Sequence, residues 1–244
     1  MSIEKNATKA RLLQSIRLPL QFLFLLWGLH LIQLLIGQDF GFLGILPQRV
    51  EGLKGVFFAP LIHADFGHLI SNSVPLFVLS AIILFFYRKV AIPTFIMIYI
   101  LTGLTVWALA RGSVFHIGAS GVVYGLVSFV FWTGIFRRSL KAIVLALIVT
   151  FLYSGMFFGI LPNQEGISWE SHLLGAVVGI FTAYFYKDRI EVDEAPPVYS
   201  WEIEPEVPAR PFLPPDTFEK TKLQREQEKR LREQQGGWFS DSTF

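Results

Sequence analysis

The chain contains no cysteine. A disulfide scaffold, a thiolate metal site and a Cys nucleophile are therefore all excluded. Charge is scarce as well. Only 16% of the 244 residues are Asp, Glu, Lys or Arg, while 52% are apolar; a soluble domain carries roughly a quarter charged residues. The scarcity is uneven. Residues 1–186 hold 12 of the 21 basic and 6 of the 19 acidic residues, and 187–244 hold the remaining 9 and 13. A single soluble globule is excluded. The net charge of +2 is a sum over two unlike regions and gives no sign of a nucleic-acid partner.

Long apolar runs stand where the charges are missing. A spanning helix needs about 20 mostly apolar residues. Six stretches qualify: Leu18–Ile36, His68–Tyr87, Ala91–Ala110, Gly118–Phe136, Leu140–Ile160 and Ser171–Tyr186, the last short and polar at its start. The expected fold class is all-α, a polytopic bundle of six transmembrane helices. It occupies 18–189, between an N-terminus at 1–17 and a tail at 190–244. No A-x-A site follows the first run before Gly37-Gln38-Asp39, so that run reads as a span and not as a signal peptide. The loop from Gly37 to Gly67 is rich in Phe, Leu, Ile and Val, too apolar for a solvated linker. It is expected to pack on the bundle or lie at the membrane interface.

Orientation follows from Lys and Arg near the span ends. Lys5, Lys9, Arg11, Arg17, Arg88, Lys89, Arg137, Arg138, Lys141, Lys187 and Arg189 fall on one side, against Arg49, Lys54 and Arg111 on the other. Both termini are expected in the cytoplasm, and the even-numbered spans then enter from outside. The tail holds 7 of the 13 prolines among interleaved acids and reads as disordered. Asp216 and Glu219 have capping-box spacing, and the helix formers of Lys220–Gln235 predict a solvated helix within 216–235, stopped by Gly236-Gly237. Its partner is unspecified.

Ionisable residues inside spans are costly and usually functional. His68 and Asn72 begin span two, Ser120 begins span four and His172 begins span six. At about 1.5 Å per residue, these side chains lie at nearly one depth, just below the outer surface. Gly121 and Gly125 in span four, and Gly175 and Gly179 in span six, make two small-residue faces that let helices approach closely. Close contact could bring the Ser120 hydroxyl within reach of the His172 imidazole. The acids Asp39, Glu51, Asp65, Glu165 and Glu170 all read as loop residues. No carboxylate is expected in a span, so a Ser-His dyad is favoured over a triad, and paired-aspartate and HExxH zinc chemistry are absent. No metal or cofactor is expected.

Gly118-Ala119-Ser120-Gly121 resembles the GxSG nucleophile motif of the rhomboid family of intramembrane serine proteases. Ser171-His172, followed by Gly175 and Gly179, resembles that family's sixth span, and His68 and Asn72 its HxxxN pair. Tyr124 stands where the family has an aromatic stacked on the catalytic His. His63 also fits, and Pro47, Gly52 and Gly55 resemble a bacterial variant of the first outer loop. The resemblance covers roughly 18–186. It implies Ser120 as nucleophile and His172 as base. Asn72, the Ser120 N–H and His68 would serve as oxyanion donors, with Gly118, Gly121, Tyr124, Gly175 and Gly179 in support. The implied substrates are transmembrane proteins in a lipid bilayer, cleaved in or near a spanning helix. The implied location is a bacterial plasma membrane, with the site opening to the outer face.

Plainer roles are expected elsewhere. Ser80, Ser128 and Ser154 should bond the backbone one turn earlier. His30 reads as a satisfied bundle histidine, His63 as a loop contact and His116 as a residue of the site's rim. Trp107, Trp132 and Trp169 read as interface anchors. Two rival functions stay open: a non-proteolytic rhomboid-fold protein that binds transmembrane segments, and an unrelated transporter or channel, which would place charges or broken helices at the midplane.

Overall fold

A computed structural model describes residues 2–111, 114–162, 168–190, 213 and 218–236. The described residues are helical, and the single β-type pairing among them is an isolated bridge between Ile45 and His116. Among the described residues, eight α-helices follow in order: α1 Ser2–Ile36, α2 Gly55–Phe58, α3 Phe66–Phe86, α4 Ala91–Leu109, α5 Ser120–Arg137, α6 Leu140–Leu152, α7 Trp169–Tyr186 and α8 Lys222–Gly236.

Among the described residues, four helices are long and apolar enough to cross a membrane: Thr8–Ile36 within α1, then α3, α4 and α5. The fifth apolar run does not form the continuous helix expected over 140–160. α6 ends at Leu152, and a 3-10 segment, Ser154–Ile160, leaves it at 62°. The 13 residues of α6 span only about 20 Å, short of the roughly 30 Å hydrocarbon core, so α6 and the 3-10 segment make a fifth span only as a bent pair. α7 is not among the four, and its first turn carries Glu170, Ser171 and His172. Among the described residues there are thus four candidate spans, or five with the bent pair.

α5 and α7 form the most extensive helix pair. Their contact is backbone on backbone. A Cβ on Gly175 would run into the Gly121 carbonyl oxygen, and one on Gly179 into that of Gly125. At this separation Ser128 Oγ donates to Ala176 O of the neighbouring helix, 2.7 Å away, and not to its own helix as expected. Leu26, Leu69, Leu79, Ile98, Leu126, Phe129 and Ala183 are fully buried in the core. Outward, Phe24, Leu35, Ile96, Leu109 and Phe151 are exposed, the reverse of a water-soluble surface.

The segment between α1 and α3 packs on α4 through short helical turns. Ile45, Val56, Ala59 and Ile62 are buried, while Phe42, Val50 and Phe57 remain exposed. Trp107 Nε1 donates to Arg49 O (2.8 Å) and Tyr99 Oη to Phe57 O (2.5 Å), fixing the segment at two points along its middle. Gly52 and Gly55 are needed for close approach: a Cβ on either would enter backbone of Leu46 or Gly44. Trp107 is thus a strut for this segment.

Residues 1–194 and 195–244 form separate units. The tail expected to be disordered lies largely outside the described residues. Within it, α8 starts later than expected: the capping box is formed by Thr221 and Gln224, with Thr221 N–H donating to Gln224 Oε1 (2.9 Å) and Gln224 N–H to Thr221 Oγ1 (3.4 Å).

Candidate active site

Ser120 is the first residue of α5, and His172 lies in the first turn of α7. The glycine contact between these helices brings Ser120 Oγ to 2.8 Å from His172 Nε2. The other ring nitrogen, Nδ1, lies 2.8 Å from the carbonyl oxygen of Gly159. A carbonyl only accepts, so Nδ1 carries the proton and Nε2 is left with the lone pair facing the hydroxyl. Tyr124, one turn along α5 from Ser120, covers the imidazole with its ring, and its hydroxyl donates to Met156 O at 2.5 Å. His172 is buried, with 8% of its surface exposed.

Gly159 and Met156 both belong to the 3-10 segment. The break in the fifth span thus supplies the two carbonyls that hold the His172–Tyr124 pair. Irregular backbone at such depth is tolerated where protein or a cavity covers it. Gly159 also leaves room for Tyr124, because a Cβ there would meet the phenol oxygen.

His68 and Asn72 stand one turn apart at the start of α3. The Asp65 carboxylate caps this helix, accepting from His68 N–H at 2.8 Å. Asn72 Nδ2 donates one hydrogen to His68 O (2.8 Å), which leaves its second N–H for other acceptors. The His68 ring lies against the backbone of Gly118. That glycine has φ +97, and a Cβ there would overlap the imidazole, so two constraints require glycine. The Ser120 N–H opens α5, and the carbonyl four residues back, that of His116, accepts from Ile45 N–H instead (2.9 Å). A helix N-terminus of this kind presents free donors and a positive dipole end. Ser120, His172, Asn72, His68 and Tyr124 line one cavity of about 710 Å³, together with Ser71, Phe115, Tyr153 and Met156.

A second polar cluster holds the cavity's edge. His116 is buried, with its Nδ1 bonded to Ser168 Oγ, and Ser168 Oγ lies 2.6 Å from Ser171 Oγ. Burial holds the His116 imidazole below the ordinary histidine range. It clasps the loop before α5 to the start of α7. Glu170, expected in a loop, is in the first turn of α7 and buried, paired with Arg111 through Nε–Oε1 and through Nη2–Oε2 at 3.2 Å. The pairing answers the cost of burying a carboxylate, and an acid suits a helix N-terminus.

His63 is buried, edge-on to His68 with ring centroids 5.0 Å apart, and its Nε2 accepts from Ala119 N–H at 3.5 Å. Burial, and next the neighbouring His68, lower its pKa from 6.5 to about 4. His30 is buried edge-on against Phe66, but neither ring nitrogen has a hydrogen-bond partner among the described residues, so it is not the satisfied histidine expected.

The family model for the rhomboid domain matches residues 51–189, more than half of the chain. Uncharacterized proteins of Mycobacterium tuberculosis and Mycobacterium bovis are 38% identical over 177 residues, covering 68% of this chain and 72% of theirs. One from Mycobacterium leprae is 34% identical over 173 residues, covering 68% of each chain. The chain belongs to the rhomboid family, whose members are in general intramembrane serine proteases, and it is an integral membrane protein.

Proposed function

We propose that this protein is an intramembrane serine endopeptidase that hydrolyses peptide bonds in or near the transmembrane helices of membrane proteins. The observation that carries this reading is the 2.8 Å contact between Ser120 Oγ and His172 Nε2, with Nδ1 committed to the Gly159 carbonyl. In the reaction His172 Nε2 takes the Ser120 proton as Oγ attacks the scissile carbonyl carbon. The oxyanion is received by the Ser120 N–H, the second Asn72 amide hydrogen and the His68 ring. His172 then gives its proton to the leaving amine. Water, deprotonated by the same nitrogen, cleaves the acyl-enzyme and restores the Ser120 hydroxyl. The carbonyl of Gly159 does the orienting work that a carboxylate does in a triad.

In this reading six segments cross the membrane, with the bent α6 pair as the fifth and α7 as the sixth. The distribution of basic residues supports the same reading for orientation, with both termini in the cytoplasm and the Ser120 cavity opening on the outer side of a bacterial plasma membrane.

The test is cleavage of a model single-span substrate by the protein reconstituted in liposomes. Ser120→Ala and His172→Ala should each lower the rate by at least ~10³-fold. Cleavage that persists in Ser120→Ala would overturn the mechanism. A wild-type protein that binds the segment without cutting it would favour the non-proteolytic alternative.

A further inference from the structure

Ser168 stands at the N-cap of α7, yet its hydroxyl does not cap that helix. A serine there normally accepts from an N–H of the first turn. Ser139 caps α6 in that way, accepting from Ala142 N–H, and Asp65 caps α3. The Ser168 hydroxyl is turned instead to the His116 ring, and both residues line the Ser120 cavity. A local preference given up in this way marks a functional demand.

His116 is held firmly enough to take up that bond. Its backbone is pinned to Ile45 by two hydrogen bonds of 2.9 Å, each N–H donating to the other's carbonyl. Its ring is buried, with Nε2 3.4 Å from the carbonyl oxygen of Arg111. That carbonyl only accepts, so Nε2 carries the proton and Nδ1 accepts from the Ser168 hydroxyl. Ser171 Oγ lies 2.6 Å from Ser168 Oγ and 3.4 Å from His116 Nδ1, so both serines of the α7 start converge on one ring nitrogen. From there the path to the reacting atoms is short. The Ser168 carbonyl accepts from the His172 N–H at 3.3 Å. The Ser171 carbonyl lies against α5, where a Cβ on Gly121 would come to 3.0 Å from its oxygen.

We propose that His116 is a positioning residue for the Ser120–His172 pair. Its Nδ1 lone pair fixes Ser168 and Ser171, and these set where the first turn of α7 delivers His172 Nε2 to Ser120 Oγ. The inference rests on the proteolytic reading above, in which a base misplaced by about 1 Å costs on the order of 10²-fold in rate.

The test measures kcat and KM for one single-span substrate in liposomes, with unfolding midpoints alongside. His116→Ala should lower kcat about tenfold to a hundredfold and leave KM unchanged. His116→Asn, which offers a carbonyl oxygen close to the place of Nδ1, should recover most of that loss. Ser168→Ala should match His116→Ala, and the double variant should be no worse than either single one. Where His116→Ala fails to fold, the kcat of Ser168→Ala decides. An unchanged kcat in Ser168→Ala overturns the proposal. So does a loss that appears in KM alone, a loss that His116→Asn does not recover, or losses that add in the double variant. Variants that cleave as well as an active wild type defeat this inference and leave the protease reading standing, whereas a wild type that cleaves nothing defeats both.

Discussion

The phenol ring of Tyr124 lies flat on the imidazole of His172, with centroids 4.2 Å apart and planes 12° from parallel. The two residues sit on different helices, α5 and α7, and the stack fixes the plane in which the base must meet Ser120. Its partner bonds come from one short segment, through Met156 O and Gly159 O.

Removing the ring should cost activity more than stability. Tyr124→Ala is expected to lower kcat about tenfold or more, in line with a stack worth ~0.5–1.5 kcal/mol and a loosened base. Tyr124→Phe keeps the stack, loses the bond to Met156 O and should fall between. Steady-state cleavage of one substrate by the three proteins checks the order; equal rates would remove Tyr124 from the positioning of His172.

The glycine contact should tolerate no side chain. In Gly175→Ala the added methyl would fall on the Gly121 carbonyl oxygen. It should destabilise by ~1–3 kcal/mol as the helices part, and cleavage should drop with it. Gly28→Ala is the control, because nothing lies within 4 Å of a Cβ there. Unfolding midpoints of both variants, with cleavage rates, decide the matter; an unperturbed Gly175→Ala would refute the close approach.

Glu170 should matter to catalysis through the start of α7. Glu170→Gln keeps the shape but ends the ion pair with Arg111, two residues before His172. The expected result is a several-fold lower kcat with little change in KM, and Arg111→Gln should behave alike. A double variant no worse than either single one would show that the pair acts as a unit.

The buried histidines give stability a pH dependence of definite sign. The folded pKa of His63 lies at about 4, below its ordinary 6.5. Between these values the unfolded chain binds a proton that the folded chain does not. Stability should therefore fall as pH drops from 6.5 toward 4 and be fully present above 6.5. His116 acts in the same direction. His63→Gln, which keeps an acceptor near Ala119 N–H, should flatten the slope of unfolding midpoint against pH between 4 and 6.5. An unchanged slope would assign the effect elsewhere.

The residues that meet at the site were legible because each carries a local signature. His68 and Asn72 are four apart on one helix, Ser120 stands two residues after Gly118 and just before Gly121, and the two GxxxG faces mark the contact that joins Ser120 to His172. Hydropathy also located the apolar runs. It could not locate the bend after Leu152, because Tyr153 through Ile160 are as apolar as a helix would be, and the turn is set by packing around the site. For the same reason Gly159 and Met156 were invisible: they contribute carbonyl oxygens, which every residue has. Glu170 was misplaced because charge reads as loop until its partner Arg111 is known. Ser128 was misassigned because a hydroxyl's acceptor depends on how close the next helix comes.

The composition of α7 bears on how the protein is made. Its opening turn carries Glu170, Ser171 and His172, and the helix is not among the four long and apolar enough to cross a membrane. A translocon that sorts segments by hydrophobicity would hold it poorly on its own. α5 is already synthesised by then and offers the groove of Gly121 and Gly125 into which α7 fits. In the six-span reading proposed above, biogenesis is cooperative at its last step: α7 enters the bilayer by docking on α5. Mutations that spoil the groove should then reduce the amount of correctly inserted protein before they are ever felt as lost turnover.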